Sequence, residues 1–260
     1  MDIVFDVYRW IIALSLALPR ILVVFIILPF LDRQFIPIMI KNAIAVAVSL
    51  AVVPLVYHQI DDLGFSLQVY IVLMLKEALI GTLIGYSMAT VFWAIASMGF
   101  FIDTQRGALS AQLFTPIIGG TTSPLGALLV HIAAVLFFIG GGFLMLLQVL
   151  YLSYLTWPVD GFIPAFDMRG ALFIVDAFSS IMTLMFLLAA PVVIIMIVVE
   201  FGVGMIGRFV PSINVFLLAM PVKSLLVFLF LWLSMGYLIR FLDARMLDVV
   251  GRVRLLERVL

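Results

Sequence analysis

The chain has 260 residues, of which 66% are apolar and 11% charged, whereas a soluble domain is nearer half apolar and a quarter charged; no soluble core of this size hides such a surplus. A formal net charge of zero excludes the basic face that nucleic acid needs, and the absence of cysteine removes disulfides, thiolate metal sites and cysteine nucleophiles together. What remains is an all-α, polytopic membrane protein, or a subunit buried on almost every side.

The N-terminus carries Asp2, Asp6 and Arg9 where a cleavable signal is basic, and no small-residue cleavage pattern precedes Asp32. The first apolar run is therefore expected to be a retained membrane helix. At about 20 apolar residues per crossing, six stretches qualify: Trp10–Leu31, Ile38–Tyr57, Val69–Phe101, Leu125–Tyr154, Ala171–Val199 and Phe216–Ile239. Two of them are poor plain spanners. Pro19-Arg20 falls in the middle of the first and Lys76-Glu77 near the start of the third, where proline removes a backbone hydrogen bond and a charge at bilayer depth is costly. Pro54, Pro191, Pro211 and Pro221 also lie in or beside apolar runs. Each predicts a kink or a helix end, and together they predict broken helices packed among other protein chains.

Loop charges conflict. Arg33 and Lys41 in the first connection, Asp61-Asp62 in the second, Asp160 and Asp167 against Arg169 in the fourth, and Arg208 in the fifth place the first, third and fifth connections in the cytoplasm and the N-terminus outside. Six spans would then leave outside a tail that holds Arg240, Arg245, Arg252, Arg254 and Arg258. Either one stretch does not cross, or the chain is no conventional spanner. The tail, 240–260, reads as a short basic amphipathic helix, either surface-lying or partner-binding, or simply solvated after the last span.

Catalytic chemistry finds no foothold. His58 and His131 are the only histidines, and no His-x-x-x-His or Glu-x-x-His spacing exists for a metal. No Gly-x-Ser-x-Gly elbow is present, and Ser153 and Ser234 lie in no glycine-rich turn. Gly140-Gly141-Gly142 precedes Phe143, so it forms no phosphate loop; it reads as a close helix contact or a helix break. The expectation is a non-enzyme without metal or cofactor. Gly81, Gly85 and Ala89 share one helical face and favour close packing. Gly202, Gly204 and Gly207, between Glu200 and Arg208, predict a flexible charged turn in which those two residues could pair.

The segment from Phe101 to Pro124, about 24 residues, is long for a connection. It is rich in Gly, Ser, Thr and Pro yet keeps Leu109, Leu113, Phe114, Ile117 and Ile118. An exposed loop has little use for five large apolar side chains; a loop folded into a pore or crevice would exclude water with them.

Several motifs then fall into order. Phe101-Ile102-Asp103-Thr104-Gln105-Arg106-Gly107, Thr121-Thr122-Ser123-Pro124-Leu125-Gly126, Gly140-Gly141-Gly142, Ser153-Tyr154 with Trp157-Pro158, and Arg208-Phe209-Val210-Pro211-Ser212-Ile213-Asn214-Val215-Phe216 leading to Met220-Pro221-Val222-Lys223-Ser224 resemble the FliR/SctT family of type III secretion export-apparatus proteins, as do Pro19-Arg20 and Lys76-Glu77 with Gly81 and Gly85. The Asp-x-Gln-Arg-Gly run and the Ser-Tyr…Trp-Pro pair look more like the injectisome branch than the flagellar one. Pro211-Ser212 and Thr115-Pro116 depart from the family's usual dipeptides there.

The resemblance implies a single-copy subunit of the export gate, through which unfolded proteins cross the bacterial inner membrane. It implies a fusion of FliP-type and FliQ-type folds: a FliP-like part over 1–170, a FliQ-like hairpin over 171–239, and the tail. The implied partners are FliP/SctR-type and FliQ/SctS-type subunits, the FlhB/SctU-type switch protein, the inner rod or needle, and the lipid membrane, in an assembly projecting towards the periplasm. The implied plug covers about 106–122 and includes Arg106, Gly107, Leu109, Leu113, Phe114, Pro116, Ile117, Ile118, Gly119 and Gly120. Arg20, Lys76, Glu77, Asp103, Glu200, Arg208 and Lys223 are expected as buried or assembly charges. The alternative is a small homo-oligomeric secondary transporter or channel with Lys76, Glu77, Glu200 and Lys223 as its ion site, although no internal repeat supports it.

Overall fold

A computed structural model describes residues 2–32, 36–60, 66–108, 123–161, 168–209 and 214–259. Among them every regular element is helical. They are α1 (Asp2–Ile27), a 3₁₀ turn (Pro29–Leu31), α2 (Ile38–Leu50), α3 (Val53–Gln59), α4 (Leu67–Gln105), α5 (Pro124–Ile139), α6 (Gly142–Thr156), α7 (Met168–Phe209) and α8 (Val215–Val259). Four helices, α1, α4, α7 and α8, are long and apolar enough to cross a membrane, and the bent pairs α2–α3 and α5–α6 raise the number of candidate spans to six.

The breaks follow from local chemistry. Between α2 and α3 the axis turns by 55°. Pro54, lacking an N–H, occupies a helix start, where that donor would be unpaired in any case. Between α5 and α6 the turn is 72°, and Gly141 there has φ +74°, a conformation that side chains with a Cβ resist. The triple glycine is thus a helix break. Pro19, Pro191 and Pro221 instead sit inside α1, α7 and α8 without ending them.

Two further expectations change. Gly202, Gly204 and Gly207 lie within α7, which runs unbroken to Phe209; no turn follows Glu200, because none of these glycines adopts positive φ and the helical hydrogen bonds continue. The tail is helical, but as the continuation of α8 to Val259 rather than as a separate short helix.

The chain forms two compact units: Met1–Thr90 with Phe138–Ala177 and Met246–Leu260, and Val91–Phe137 with Phe178–Arg245. In the first, α1 and α4 meet backbone to backbone. A Cβ on Gly81 would collide with the Arg20 carbonyl, and one on Gly85 would come within 3.1 Å of the Val24 Cα. Trp10 of α1 stacks on Tyr57 of α3 at 5.2 Å, so the α2–α3 arm returns to the end of α1 where the chain begins. In the second unit Gly99 of α4 lies against Gly126 of α5, and Phe92 meets Phe137 edge-on.

Candidate functional site: two buried charge clusters

The first unit contains a fully buried arginine. Each nitrogen of the Arg20 guanidinium has its own acceptor: Nε donates to Glu77 Oε2 at 2.7 Å, Nη1 to Ser153 Oγ at 2.9 Å and Nη2 to the Trp157 carbonyl at 2.9 Å. Its plane covers the Tyr154 ring at 4.0 Å, and the Tyr154 hydroxyl donates back to the Ala17 carbonyl at 2.6 Å. Only a planar fork with separated donors reaches all of these at once. Lys76 Nζ donates to the carbonyls of Pro158, Val159 and Gly161 at 2.7, 2.9 and 3.0 Å and lies 3.0 Å from Glu77 Oε1. The ammonium thus serves three carbonyls and the carboxylate together, the last as an ion pair.

Two cations thus share one carboxylate. The positive excess is held by carbonyl dipoles just past the C-terminus of α6, the negative end of that helix. Pro158 cannot extend α6, which leaves the 157–161 carbonyls free to face inward. Gln59 fastens the same segment, donating to the Tyr154 carbonyl at 3.3 Å and accepting from the Val159 N–H at 3.0 Å.

The second unit holds a complementary arrangement at the ends of α4 and α5. Asp103 is fully buried. Its Oδ1 accepts from Arg106 Nε at 2.8 Å and meets Nη2 at 2.7 Å; its Oδ2 accepts from Ser123 Oγ at 2.6 Å and the Leu125 N–H at 2.9 Å. Ser123 Oγ in turn accepts the Gly126 N–H at 2.8 Å, so Ser123 caps α5 and Asp103 supplies the anion its N-terminus favours. Lys223 donates to the Gln105 carbonyl at 3.3 Å and pairs with Glu200 at 3.1 Å. Arg106 also covers the Phe228 ring at 5.3 Å, and Gly107, with φ +81°, lies against Met220. One carboxylate therefore ties together both ends of the chain segment between α4 and α5.

Residues 11–249 match the family described as bacterial export proteins, family 1. The chain belongs to that family. It is 39% identical to Yop proteins translocation protein T of Yersinia pestis over 98% of this chain and 97% of that one. It is 32% identical to secretion system apparatus protein SsaT of Salmonella typhimurium, over 89% and 90%, and 32% identical to flagellar biosynthetic protein FliR of Bacillus subtilis, over 64% and 65%. With four to six candidate spans, this bacterial export protein is a multi-pass membrane protein.

The structure gathers Arg20, Lys76 and Glu77 in one cluster and Asp103 with Arg106 in another, with Lys223 and Glu200 beside the end of α4. Glu200 pairs with Lys223 rather than with Arg208, which lies eight residues further along the same helix and is exposed. Of the transporter's four ion-site candidates, Lys76 pairs with Glu77 within the first unit and Lys223 with Glu200 within the second. No group of side chains suited to a metal occurs among the described residues. Leu109, Leu113, Phe114, Pro116, Ile117, Ile118, Gly119 and Gly120 lie outside the described residues.

Sequence reasoning missed Gln59, Gly99 and Phe228, and gave Ser123, Gly126, Ser153, Tyr154, Trp157 and Met220 no role beyond resemblance. A signal existed for Ser123: Ser before Pro at a helix start is a cap with proline in the first turn. For Gln59 and Ser153 none existed, since their partners are 100 and 133 residues away.

Proposed function

We propose that this chain is a subunit of the type III secretion export gate in the bacterial inner membrane, on the injectisome branch. There it helps to form and seal the channel through which unfolded proteins leave the cell. The relatives' names place them in protein translocation, secretion and flagellar biosynthesis, and the higher identity to the translocation protein favours that branch. The observation that carries the reading is the helix-length mismatch of α7. From Phe178 to Phe209, both more than half exposed, α7 shows apolar side chains outward at Leu187, Ile194, Val198 and Phe201. At 1.5 Å per residue that is about 46 Å, against a hydrocarbon core of about 30 Å; a tilt of 40° still leaves about 35 Å. Glu200, its side chain 62% exposed, and Arg208, also exposed, fall in the last third of this stretch, where lipid is a poor neighbour for charge and another protein chain a better one.

The reading assigns one copy of this chain to a closed assembly with FliP/SctR-type and FliQ/SctS-type subunits, alongside the FlhB/SctU-type switch protein and the inner rod or needle. It takes 1–170 as the FliP-like part, 171–239 as the FliQ-like hairpin and 240–260 as the basic tail. In this scheme 106–122 is the plug, Leu109, Leu113, Phe114, Ile117 and Ile118 exclude water, and Pro116, Gly119 and Gly120 let the loop move. The Asp103 clamp then holds the loop's two ends together while its middle swings aside.

Native mass spectrometry of the complex, released in mild detergent through a tag on this chain, tests the assembly. One copy with several copies of two smaller membrane proteins is expected; a lone monomer or a homo-oligomer that moves a small solute overturns it. Deleting Leu109–Ile118 tests the plug, with a raised ion leak expected through the assembled gate and unchanged conductance counting against it.

A further inference from the structure

The outward face of α7 near its C-terminal end suits neither water nor lipid. Ile197, Phe201, Gly204 and Arg208 recur at the spacing of one helical stripe, and all four are exposed. Ile197 and Phe201 are 57% and 72% exposed, and Met205 beside them 50%; in water these would form an uncovered apolar patch. Glu200 borders the stripe and Arg208 continues it, and charge that faces lipid is costly. The conflict holds wherever along α7 the bilayer ends. A surface that is itself apolar and carries the opposite charges removes it.

Glu200 is also only half used within the chain. Its Oε2 pairs with Lys223 Nζ at 3.1 Å, yet its side chain stays 62% exposed while that of Lys223 is 6% exposed. The carboxylate therefore reaches inward with one oxygen and leaves the remainder outside. In the first unit Glu77 takes two cations, Arg20 and Lys76. Glu200 has the same capacity, with one cation supplied from inside and room for a second from outside. A Cβ at Gly204 would meet nothing within 4 Å, so a neighbouring backbone can approach closely there. We propose that this stripe docks an apolar helix of a different membrane chain, which carries a lysine or arginine against Glu200 and a carboxylate against Arg208. The two stand eight residues apart on α7, about 12 Å along its axis, so the partner's charges lie two turns apart as well. A second copy of this chain does not fit. Copies inserted the same way run parallel, and face to face they would oppose Glu200 to Glu200 and Arg208 to Arg208. The inference rests on the multi-subunit reading above and adds the neighbour's chemistry to it.

The test is photo-crosslinking of the full-length chain in native membranes, with benzoylphenylalanine in place of Phe201. The crosslinked peptide is then sequenced by mass spectrometry. The peptide expected is an apolar segment of another chain, with a basic residue within about one turn of the linked position and an acidic residue two turns from that base. Glu200→Gln keeps an oxygen for Lys223 and removes the charge; it should weaken retention of that chain about tenfold, the loss of one charge-assisted hydrogen bond. Arg208→Glu should abolish the crosslink, and reversing the partner's acidic residue to lysine should restore it. Because Arg208→Glu leaves the Glu200–Lys223 pair intact, it carries the test if Glu200→Gln does not fold. Adducts to a second copy or to a segment without a basic residue overturn the proposal, as does failure of the reversed pair to restore the crosslink. Lipid adducts from a complex that native mass spectrometry still finds assembled overturn the docking surface alone. A matching segment from a membrane protein outside any secretion apparatus keeps the surface and overturns the export-gate reading.

Discussion

Two buried cations sharing one carboxylate make Glu77 the residue on which the first unit's electrostatics turn. Replacing it by Gln keeps the shape but leaves Arg20 and Lys76 as uncompensated buried charges, a loss of about 3–5 kcal/mol. Replacing Lys76 by Met leaves Arg20 and Glu77 as a neutral pair. It strands only carbonyls of 158–161, and since Pro158 is half-buried and Gly161 exposed, water can reach some of them. The expected order of stability in detergent unfolding is therefore wild type, Lys76→Met, Glu77→Gln. Arg20→Lys should be nearly as damaging as Glu77→Gln, because one ammonium cannot meet Glu77, Ser153 and Trp157 from their separate directions. If Lys76→Met proves the worst of the three, the carbonyls and not the carboxylate hold the cluster together.

At the scale of elements, helix ends and helix contacts decide the fold. A Cβ at Gly81 meets the Arg20 backbone, which cannot move without disturbing the cluster, whereas nothing lies within 4 Å of one at Gly202. Gly81→Ala should therefore cost several degrees of Tm, and Gly202→Ala should be neutral or slightly stabilising through helix propensity. Asp103→Asn removes the charge that pairs with Arg106 and favours the α5 N-terminus. It should raise ion leak through the assembled gate by loosening both ends of the segment between α4 and α5, and patch-clamp conductance compared with wild type checks this. These contacts also show what could be read in advance. Runs of about 20 apolar residues and the misplaced charges at Arg20 and Lys76-Glu77 announced membrane helices with something buried inside them. The partners of those charges did not announce themselves, because Ser153, Trp157 and Gln59 are ordinary residues until the chain folds back on itself. The glycines after Glu200 were misread for a related reason. Glycine suits turns, yet in α7 two of the three, Gly202 and Gly204, face open space, and the apolar residues around them sustain the helix.

At the scale of the molecule, the surplus of exposed apolar surface is the property that composition already declared and that folding does not remove. Trp232, Leu233 and Tyr237 on α8 are each at least two-thirds exposed, like Phe201 and Phe209 on α7. The chain contains no cysteine, so single cysteines can be introduced without background for spin labelling. Labels at Phe178→Cys, Leu187→Cys, Ile194→Cys, Phe201→Cys and Phe209→Cys sample about 46 Å of α7. In the isolated chain in detergent, each should be accessible either to oxygen, which partitions into the apolar phase, or to a water-soluble nickel chelate. In the assembled complex in a lipid nanodisc, a window of about 30 Å is the most that lipid can occupy, and at least one label should become inaccessible to both reagents as a neighbouring subunit covers it. If every label in the complex still reports either lipid or water, α7 has no protein cover and its length must be absorbed by tilt and bilayer thickening. The argument for a multi-subunit gate from this helix would then fail, whatever the family resemblance.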